Sequence, residues 1–305
     1  MGEAEGGAVA LGVPLTQPIA GLDWFDLDDP DSLELSKLAE RYQLHELDIE
    51  DVRHGCQRPK IDEHPDYIFV VLKELKSDKT IDFDDFYAFI GRNFLLTIHP
   101  GPSDTIDKAV RRAQENQEKR LDRIFYFCFD DIVDDFLPVL DGLAEDTSAI
   151  EDEVLEHPTP DMLRRIFQVK RKLIDFRRNA AAMREAANSI QRIEHGVICD
   201  DLDEYLRDIY DHLTRTVELI ESYRDLLTGS LDIYLSAVAN RTNEVMKVLT
   251  IWGTVALPLV IITGFFGMNL PLPLQNTHHG TALAVGIMLL STAATLLYFK
   301  RKGWF

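Results

Sequence analysis

The last part of this 305-residue chain contains no acidic residue after Glu244. Only four basic side chains occur there, those of Lys247, Lys300, Arg301 and Lys302. The whole chain has a formal net charge of -20, and since this last part carries +4, the residues before it carry -24. The chain therefore joins two chemically different parts, and its acidic part excludes a general nucleic-acid binder, which needs a basic surface.

The non-acidic part contains two uncharged, mostly apolar runs of 19 residues, Val248–Phe266 and Thr281–Phe299. Each is long enough to cross a hydrocarbon core of about 30 Å as a helix. Lys247 precedes the first run and Lys300 follows the second, so the positive-inside rule places both ends of this hairpin in the cytoplasm. Residues 1–22 have no basic region followed by an apolar core, which predicts no signal peptide. We therefore expect a membrane protein with both termini cytoplasmic.

The acidic part begins with a mixed α/β pattern. Three apolar and aromatic runs predict strands over Tyr67–Leu75, Phe83–Ile90 and Phe94–Ile98. A helix capped by Asp31 or Ser32 is expected to continue through Leu44. We assign these elements to a cytosolic α/β domain of residues 1–120.

Two long helices of opposite charge are expected next. Residues 130–156 contain eleven acidic side chains and no basic one, in a helical pattern that Pro138 or Gly142 is expected to interrupt. Pro160 marks the first turn of the second helix, in which apolar residues at alternating spacings of four and three extend over residues 162–190. Basic residues occupy the other faces of this second helix.

A third helix has the longest apolar stripe, from Leu202 to Val238. No proline or turn cluster separates this stripe from the first membrane run, so we expect one helix from Leu202 to about Phe266, with about 65 residues and a length of roughly 100 Å. The remaining chain then divides into acidic and basic cytosolic helices (121–200), a stalk helix continuing into the first transmembrane helix (201–267), an outer loop (268–280), a second transmembrane helix (281–299) and a basic cytosolic tail (300–305).

One face of the first transmembrane helix repeats small, polar and apolar residues at spacings of three or four. Two spans per chain cannot enclose a water-filled path, so the hairpin is either an anchor or one member of a ring. An anchor needs no such face, whereas glycines permit close helix approach or expose carbonyl groups to a lumen. The alternative is that these residues only pack the two helices together. The candidate pore-lining residues are Asn243, Met246, Leu249, Thr250, Gly253, Leu257, Val260 and Gly264.

The end of this helix resembles a known family. Gly267-Met268-Asn269 closes the first of two C-terminal spans, NEVMKVLT (243–250) precedes it, and the chain ends on YFKRKGW (298–304). Together these segments are similar to the CorA-type divalent-cation channels, and the resemblance covers nearly the whole chain. It implies a funnel-shaped homopentamer in the plasma membrane of a bacterium or archaeon, with the first spans around a central pore and the second spans outside them.

The resemblance also implies that Gly267, Met268 and Asn269 form the selectivity filter, and that Mg²⁺ enters passively through a ring of Asn269. Because Mg²⁺ gives up its water reluctantly, neutral amide and carbonyl oxygens that hold the hydrated ion suit rapid passage better than carboxylates do. The absence of acidic side chains after Glu244 fits such a filter. An inside-negative potential of 100 mV supplies about 4.6 kcal/mol for a divalent ion.

In this family cytosolic Mg²⁺ also regulates the pore by bridging subunits. Glu50 and Asp51, just ahead of QRPK (57–60), resemble the family's sensing pair, and the resemblance suggests Asp208 and Asp130 as their partners. Without Mg²⁺ these carboxylates would repel one another across each interface, and with it the pore would be held closed. The alternative is that the four acids are ordinary surface charges.

Three features depart from the family's pattern. The outer loop reads PLPL (271–274), then His278 and His279, where an acidic element is usual. Val260 stands in the place of a threonine, and the amino-terminal domain is short. Imidazole ligands favour Co²⁺, Ni²⁺ or Zn²⁺, so these ions are alternatives to Mg²⁺.

Other classes of function fit less well. The sequence contains no HExxH motif, no phosphate-binding glycine loop and no convincing nucleophile with its base, so we expect no enzyme. A zinc-transporting relative would share the same architecture and differ only in its transport. A membrane-tethered helical scaffold would use the helical seams for a partner and conduct no ions.

Overall fold

The computed structural model of the chain describes residues 17–77, 80–156, 158–193, 196–268 and 278–304. The strands are β1 (Trp24–Leu27), β2 (Lys60–Glu63), β3 (Tyr67–Ser77), β4 (Thr80–Gly91) and β5 (Leu95–Ile98). The helices are α1 (Leu33–Tyr42), α2 (Glu46–His54), α3 (Asp104–Glu115), α4 (Leu121–Asp134), α5 (Phe136–Glu156), α6 (Pro160–Ile190), α7 (Asp203–Phe266) and α8 (His278–Arg301). The chain divides into two compact units, Met1–Glu153 with Thr159–Ser230, and Val154–Pro158 with Leu231–Phe305.

The first unit contains one five-stranded sheet in the order β1-β5-β4-β3-β2. Strand β1 is parallel to β5, and the other neighbours are antiparallel. The three predicted strands are confirmed as β3, β4 and β5. Strands β1 and β2 were not predicted, because each has only four residues and too short a pattern to recognise. The indole nitrogen of Trp24 in β1 donates a hydrogen bond of 3.1 Å to the hydroxyl of Thr97 in β5.

Helices cover both faces of the sheet, which explains why its central strands contain continuous apolar runs, Tyr67–Leu72 in β3 and Phe86–Ile90 in β4. Helices α1 and α2 cover one face, where Tyr42 stacks on Phe94 with ring centroids 3.9 Å apart. Ser32 caps α1 as predicted, since its hydroxyl accepts from the backbone N–H of Glu34. On the other face α4 packs against β3, β4 and β5, and α6 contacts β2 and β3.

The acidic helical segment breaks at a different place from the one predicted. Helix α4 ends at Asp134 and α5 begins at Phe136, ahead of both Pro138 and Gly142. Pro138 falls in the first turn of α5, where a backbone N–H has no partner within the helix, so proline is tolerated there. Gly142 lies inside α5 and does not end it.

The apolar seam predicted for α6 is confirmed, because the nine residues that define it are all buried. They are Met162, Ile166, Val169, Leu173, Phe176, Ala180, Met183, Ala187 and Ile190.

Helices α6 and α7 are antiparallel neighbours. Arg177 donates a hydrogen bond of 2.9 Å to Glu221, and Lys170 donates one of 3.1 Å to Thr228. Residue numbers therefore increase in opposite directions along the two helices. Helix α7 is continuous for 64 residues, as predicted, and its apolar stripe is buried or half-buried as far as Tyr234. Beyond that point Val238 is exposed.

The second unit contains two candidate membrane spans. The apolar windows of α7 and α8 have mean hydropathies of 2.1 and 2.0, and almost none of their residues are fully buried within the described chain. Helices so apolar and so uncovered are not core helices of a soluble domain. After α8 the chain turns back, and Trp304 stacks on Phe299 with centroids 5.0 Å apart.

Candidate functional site

The predicted pore-lining residues share one exposed face of α7. Side chains of Met246, Leu257 and Val260 are 55%, 61% and 65% exposed. All eight candidate residues are exposed, namely Asn243, Met246, Leu249, Thr250, Gly253, Leu257, Val260 and Gly264. This face is therefore available to contact water, lipid or another chain.

A second stripe on α7 is half-buried and lies on the opposite side of the helix. Its residues also recur at spacings of three or four. An α-helix rotates by about 100° per residue, so these positions lie across the helix axis from the candidate pore-lining residues. The half-buried residues are Lys247, Ile251, Val255, Pro258, Ile262 and Phe266. Helix α8 has a comparable covered stripe, at Gly280, Ala284, Met288, Ser291, Thr295 and Phe299. The face predicted to line a pore is thus not the face that a single chain covers itself.

Thr250 supplies a polar atom on the exposed stripe. Its hydroxyl donates a 2.7 Å hydrogen bond to the carbonyl of Met246, one turn earlier on α7. The remaining lone pairs of this oxygen can accept hydrogen bonds from groups beside the helix. A hydrated cation presents the hydrogens of its water ligands as donors, so such an acceptor suits it.

Gly267 ends α7 in a crowded position. Its backbone N–H bonds to the carbonyl oxygen of Thr263 at 2.9 Å, and a Cβ at this position would lie 2.9 Å from the same oxygen. Any other residue would displace the last turn. Met268 is exposed. Asn269, the third predicted filter residue, lies outside the described residues, and His278 begins α8.

The predicted sensing pair lies on α2, in the first unit. Glu50 is exposed, whereas Asp51 accepts a hydrogen bond of 2.7 Å from Nζ of Lys60 on β2. Lys60 also donates to Asp62. Partial burial works against the charge of Lys60, but its bonds to the two carboxylates outweigh burial and raise its pKa. These groups line an open cavity of about 560 Å³ with Asp48 and four other residues.

Asp208 is exposed on α7, beside a histidine that the sequence did not single out. The Nε2 atom of His212 is 3.7 Å from an oxygen of Asp208, and its Nδ1 atom is 3.7 Å from Asp134 on α4. Burial raises the pKa of Asp134, and the charge of Asp130 raises it further. The spacing of four residues between Asp208 and His212 is the sequence signal that places them on one helix face.

Asp130 is buried and already has a cationic partner. Arg112 on α3 donates to Asp130 at 2.9 Å and to Asp131 at 2.8 Å. Burial acts against the charge of Arg112, but these carboxylates outweigh it and raise its pKa. Burial also raises the pKa of Asp131. The sequence did not predict this pairing because Arg112 and Asp130 are 18 residues apart on different helices, so no local spacing connects them.

Within the described part of the chain, no three His, Cys, Asp or Glu side chains are close enough to hold a metal ion together. Asp51 and Asp208 each pair with a different basic group of the same chain, Lys60 and His212. Whether these acids bind a cation between chains stays a prediction.

A sequence model described as "CorA-like Mg2+ transporter protein" matches residues 20–301. The chain belongs to this family. It is 33% identical over 278 residues to the "Cobalt/magnesium transport protein CorA" of Thermotoga maritima, covering 88% of this chain and 79% of that protein. It is also 29% identical over 293 residues to the "Putative metal ion transporter YfjQ" of Bacillus subtilis, covering 95% and 92%.

Two solved structures share the fold of this chain. The CorA magnesium transporter of Methanocaldococcus jannaschii superposes with a TM-score of 0.80 at 24% identity, covering 92% of this chain and 91% of that one. The full-length CmaX protein gives a TM-score of 0.74 at 21% identity, covering 91% and 87%. The chain is therefore a membrane protein of a divalent metal-ion transporter family, with its α/β domain, long helix and C-terminal apolar helix in the order found there.

Proposed function

We propose that this transporter is a passive channel for hydrated divalent cations, built from five copies of the chain. The observation that carries the proposal is the exposed stripe on α7, opposite the stripe that the chain half-buries. Five such helices around an axis would cover these exposed faces and enclose a path that one hairpin cannot form. Met246, Leu257 and Val260 would form apolar constrictions along this path, able to block ions by dewetting.

We propose Gly267, Met268 and Asn269 as the filter at the outer end. The close approach of Gly267 to the carbonyl of Thr263 explains why glycine is needed where the helix stops. The amide of Asn269 would then hold the water ligands of the passing ion. Mg²⁺ is the first expectation, and Co²⁺ fits the names of the CorA relatives. Ni²⁺ and Zn²⁺ are the ions that exposed His279 would favour.

Regulation would come from Mg²⁺ held between copies by Glu50 and Asp51 of one chain and Asp208 of the next, with Asp130 as a further partner. Since Asp51 and Asp208 line no shared site within one chain, a bridging ion would couple two copies and hold the ring closed. We propose that the chain divides into segments after residues 120, 200, 267, 280 and 299. In this division the sensing residues lie in cytosolic segments, and the filter lies at the outer side of the membrane. Both termini would lie in the cytoplasm, and the membrane would be the plasma membrane.

Uptake by liposomes containing the purified full-length protein tests the transport proposal. Mg²⁺, Co²⁺ and Zn²⁺ entry would be followed separately under an inside-negative potential. We expect Mg²⁺ entry that rises with the potential and needs no proton gradient. Preferred Zn²⁺ entry coupled to protons would support the zinc-transporting alternative, and absence of all uptake would support the scaffold.

The assembly and the pore face can be tested in the same preparation. We expect a mass of five chains in detergent, and a single chain or a pair would contradict the ring. In a variant without native cysteines, Thr250→Cys should make uptake sensitive to a water-soluble thiol reagent. The matched variant Ile262→Cys, on the half-buried stripe, should stay insensitive.

A further inference from the structure

The first unit contains a long groove that the transport proposal does not use. One part, of about 730 Å³, lies along α6 and is lined by Arg164, Arg165, Phe167, Arg171, Lys172 and Asp175 among others. A second part, of about 470 Å³, includes Arg58, Lys73, Arg178 and Asn179. Ile81 and Asp175 line both parts, so the two are continuous.

The groove concentrates positive charge on a chain whose net charge is -20. Three of its basic side chains, those of Arg58, Arg171 and Lys172, are exposed and have no ion-pair partner among the described residues. The pairing of Arg178 is loose, with 3.9 Å to Asp175. A cluster of uncompensated cations attracts multiply charged anions.

Two further side chains of the groove could make specific contacts with an anionic ligand, beyond the attraction by its charge. Asn179 is only 8% exposed, yet its amide makes no hydrogen bond with the described chain, and it faces the groove. This amide is therefore free to bond to a ligand atom that enters the groove. Phe167 is 53% exposed on the same helix and presents an aromatic ring at the other part of the groove.

We propose that this groove binds a nucleoside triphosphate. Arg171, Lys172 and Arg178 would hold the phosphates through charge-assisted hydrogen bonds, and Phe167 would stack on the base. The amide of Asn179 would bond to a sugar or phosphate oxygen. The volume of each part of the groove is in the range of small-molecule sites. Its carboxylates, those of Asp82, Asp146 and Asp175, leave a place for a Mg²⁺ ion carried by the phosphates.

Equilibrium dialysis of radiolabelled ATP against the full-length protein in detergent tests this site. We expect saturable binding of one ATP per chain. The double variant Arg171→Gln/Lys172→Gln should weaken binding at least about tenfold, since two charge-assisted contacts are lost. The control Lys37→Gln/Arg215→Gln removes two exposed cations outside the groove that form no ion pair within the described part of the chain, and it should bind ATP as the original chain does.

A second comparison separates a nucleotide site from a general anion site. Phe167→Ala should weaken ATP binding several-fold and leave inorganic tripolyphosphate unaffected. Equal binding of ATP and tripolyphosphate by both the original chain and Phe167→Ala would overturn the assignment to a nucleotide. Absence of saturable ATP binding, or equal loss in the control double variant, would overturn the site. Each of these results is independent of ion transport, so failure here leaves the proposed channel untouched.

Discussion

The ammonium nitrogen of Lys60 lies 2.7 Å from Oδ2 of Asp51. The carboxylate that resembles the family's Mg²⁺ sensor is therefore already paired with a cation of its own chain, which it shares with Asp62. A divalent ion that binds Asp51 must compete with this ammonium group, or work against its charge at close range. We therefore expect Lys60 to raise the Mg²⁺ concentration that is needed to occupy the proposed site.

Lys60→Gln should make the protein respond to less Mg²⁺. Loss of one positive charge beside Asp51 strengthens binding of a divalent cation, and we expect the half-maximal concentration to fall about tenfold. The measurement is protection of the full-length protein from proteolysis over a series of Mg²⁺ concentrations. Lys76→Gln is the matched control, because Lys76 pairs with Asp84 on β4 and not with the sensing pair. An unchanged midpoint in Lys60→Gln would separate Lys60 from the sensor.

Asp51→Ala and Asp208→Ala should each remove the protection that millimolar Mg²⁺ gives against proteolysis. Each variant lacks one side of the proposed bridge, so the ion no longer couples neighbouring copies. Full protection of both variants would refute the sensor. Asp130→Asn belongs in the same series, although Asp130 also holds Arg112, so its thermal stability must be measured beside its Mg²⁺ response.

Gly91→Ala should destabilise the sheet. A Cβ at Gly91 would lie 2.1 Å from the ring of Phe94, which must then leave its stack on Tyr42. We expect a cost of about 1–3 kcal/mol, seen as a lower thermal midpoint. Gly142→Ala is the opposite control, because a Cβ there meets nothing within 4 Å and the residue lies inside α5. That variant should gain about 1 kcal/mol from helix propensity. Equal effects at both positions would contradict the packing described.

His99 should stabilise the fold more at low pH than at high pH. Burial alone lowers the pKa of His99, but Asp26, 3.2 Å away, and the carbonyl of Gly101 outweigh burial and raise it above 6.5. A raised pKa in the folded state gives a contribution that is complete below the unfolded pKa and is lost as pH rises through the folded value. The thermal midpoints of the original chain and His99→Gln should therefore differ more at pH 6 than at pH 8.5. With Asp26→Asn in both chains, the larger difference at pH 6 should disappear, because burial then acts on His99 without the opposing carboxylate. A larger difference at pH 6 that persists would assign the effect to another group.

Periodicity predicted most of the fold because the long elements repeat a pattern many times. The seam of α6 and the stripe of α7 each extend over many turns, so both patterns are clear in the sequence. Strands β1 and β2 were missed because four residues carry little pattern. The predicted interruption at Pro138 was wrong because the effect of a proline depends on its distance from the start of the helix. That start is set by the packing of α4 and its neighbours, which local sequence does not show.

The sequence predicted only those features of the site that depend on the spacing of residues within one helix. The exposed stripe on α7 follows from residues three and four positions apart, and so does the pairing of Asp208 with His212. The contacts of Lys60 with Asp51, and of Arg112 with Asp130, join different elements and follow from the sheet and helix packing. Charge counts alone gave no indication that these acids already have cationic partners.

The most direct test of the proposed channel is Mg²⁺ uptake by liposomes that contain Asn269→Ala. The control is Asn276→Ala, which removes another amide from the predicted outer loop. Both variants should first be shown to assemble as the original protein does. We predict that Asn269→Ala abolishes uptake and that Asn276→Ala preserves it. Undiminished uptake by Asn269→Ala would contradict a filter built on this amide.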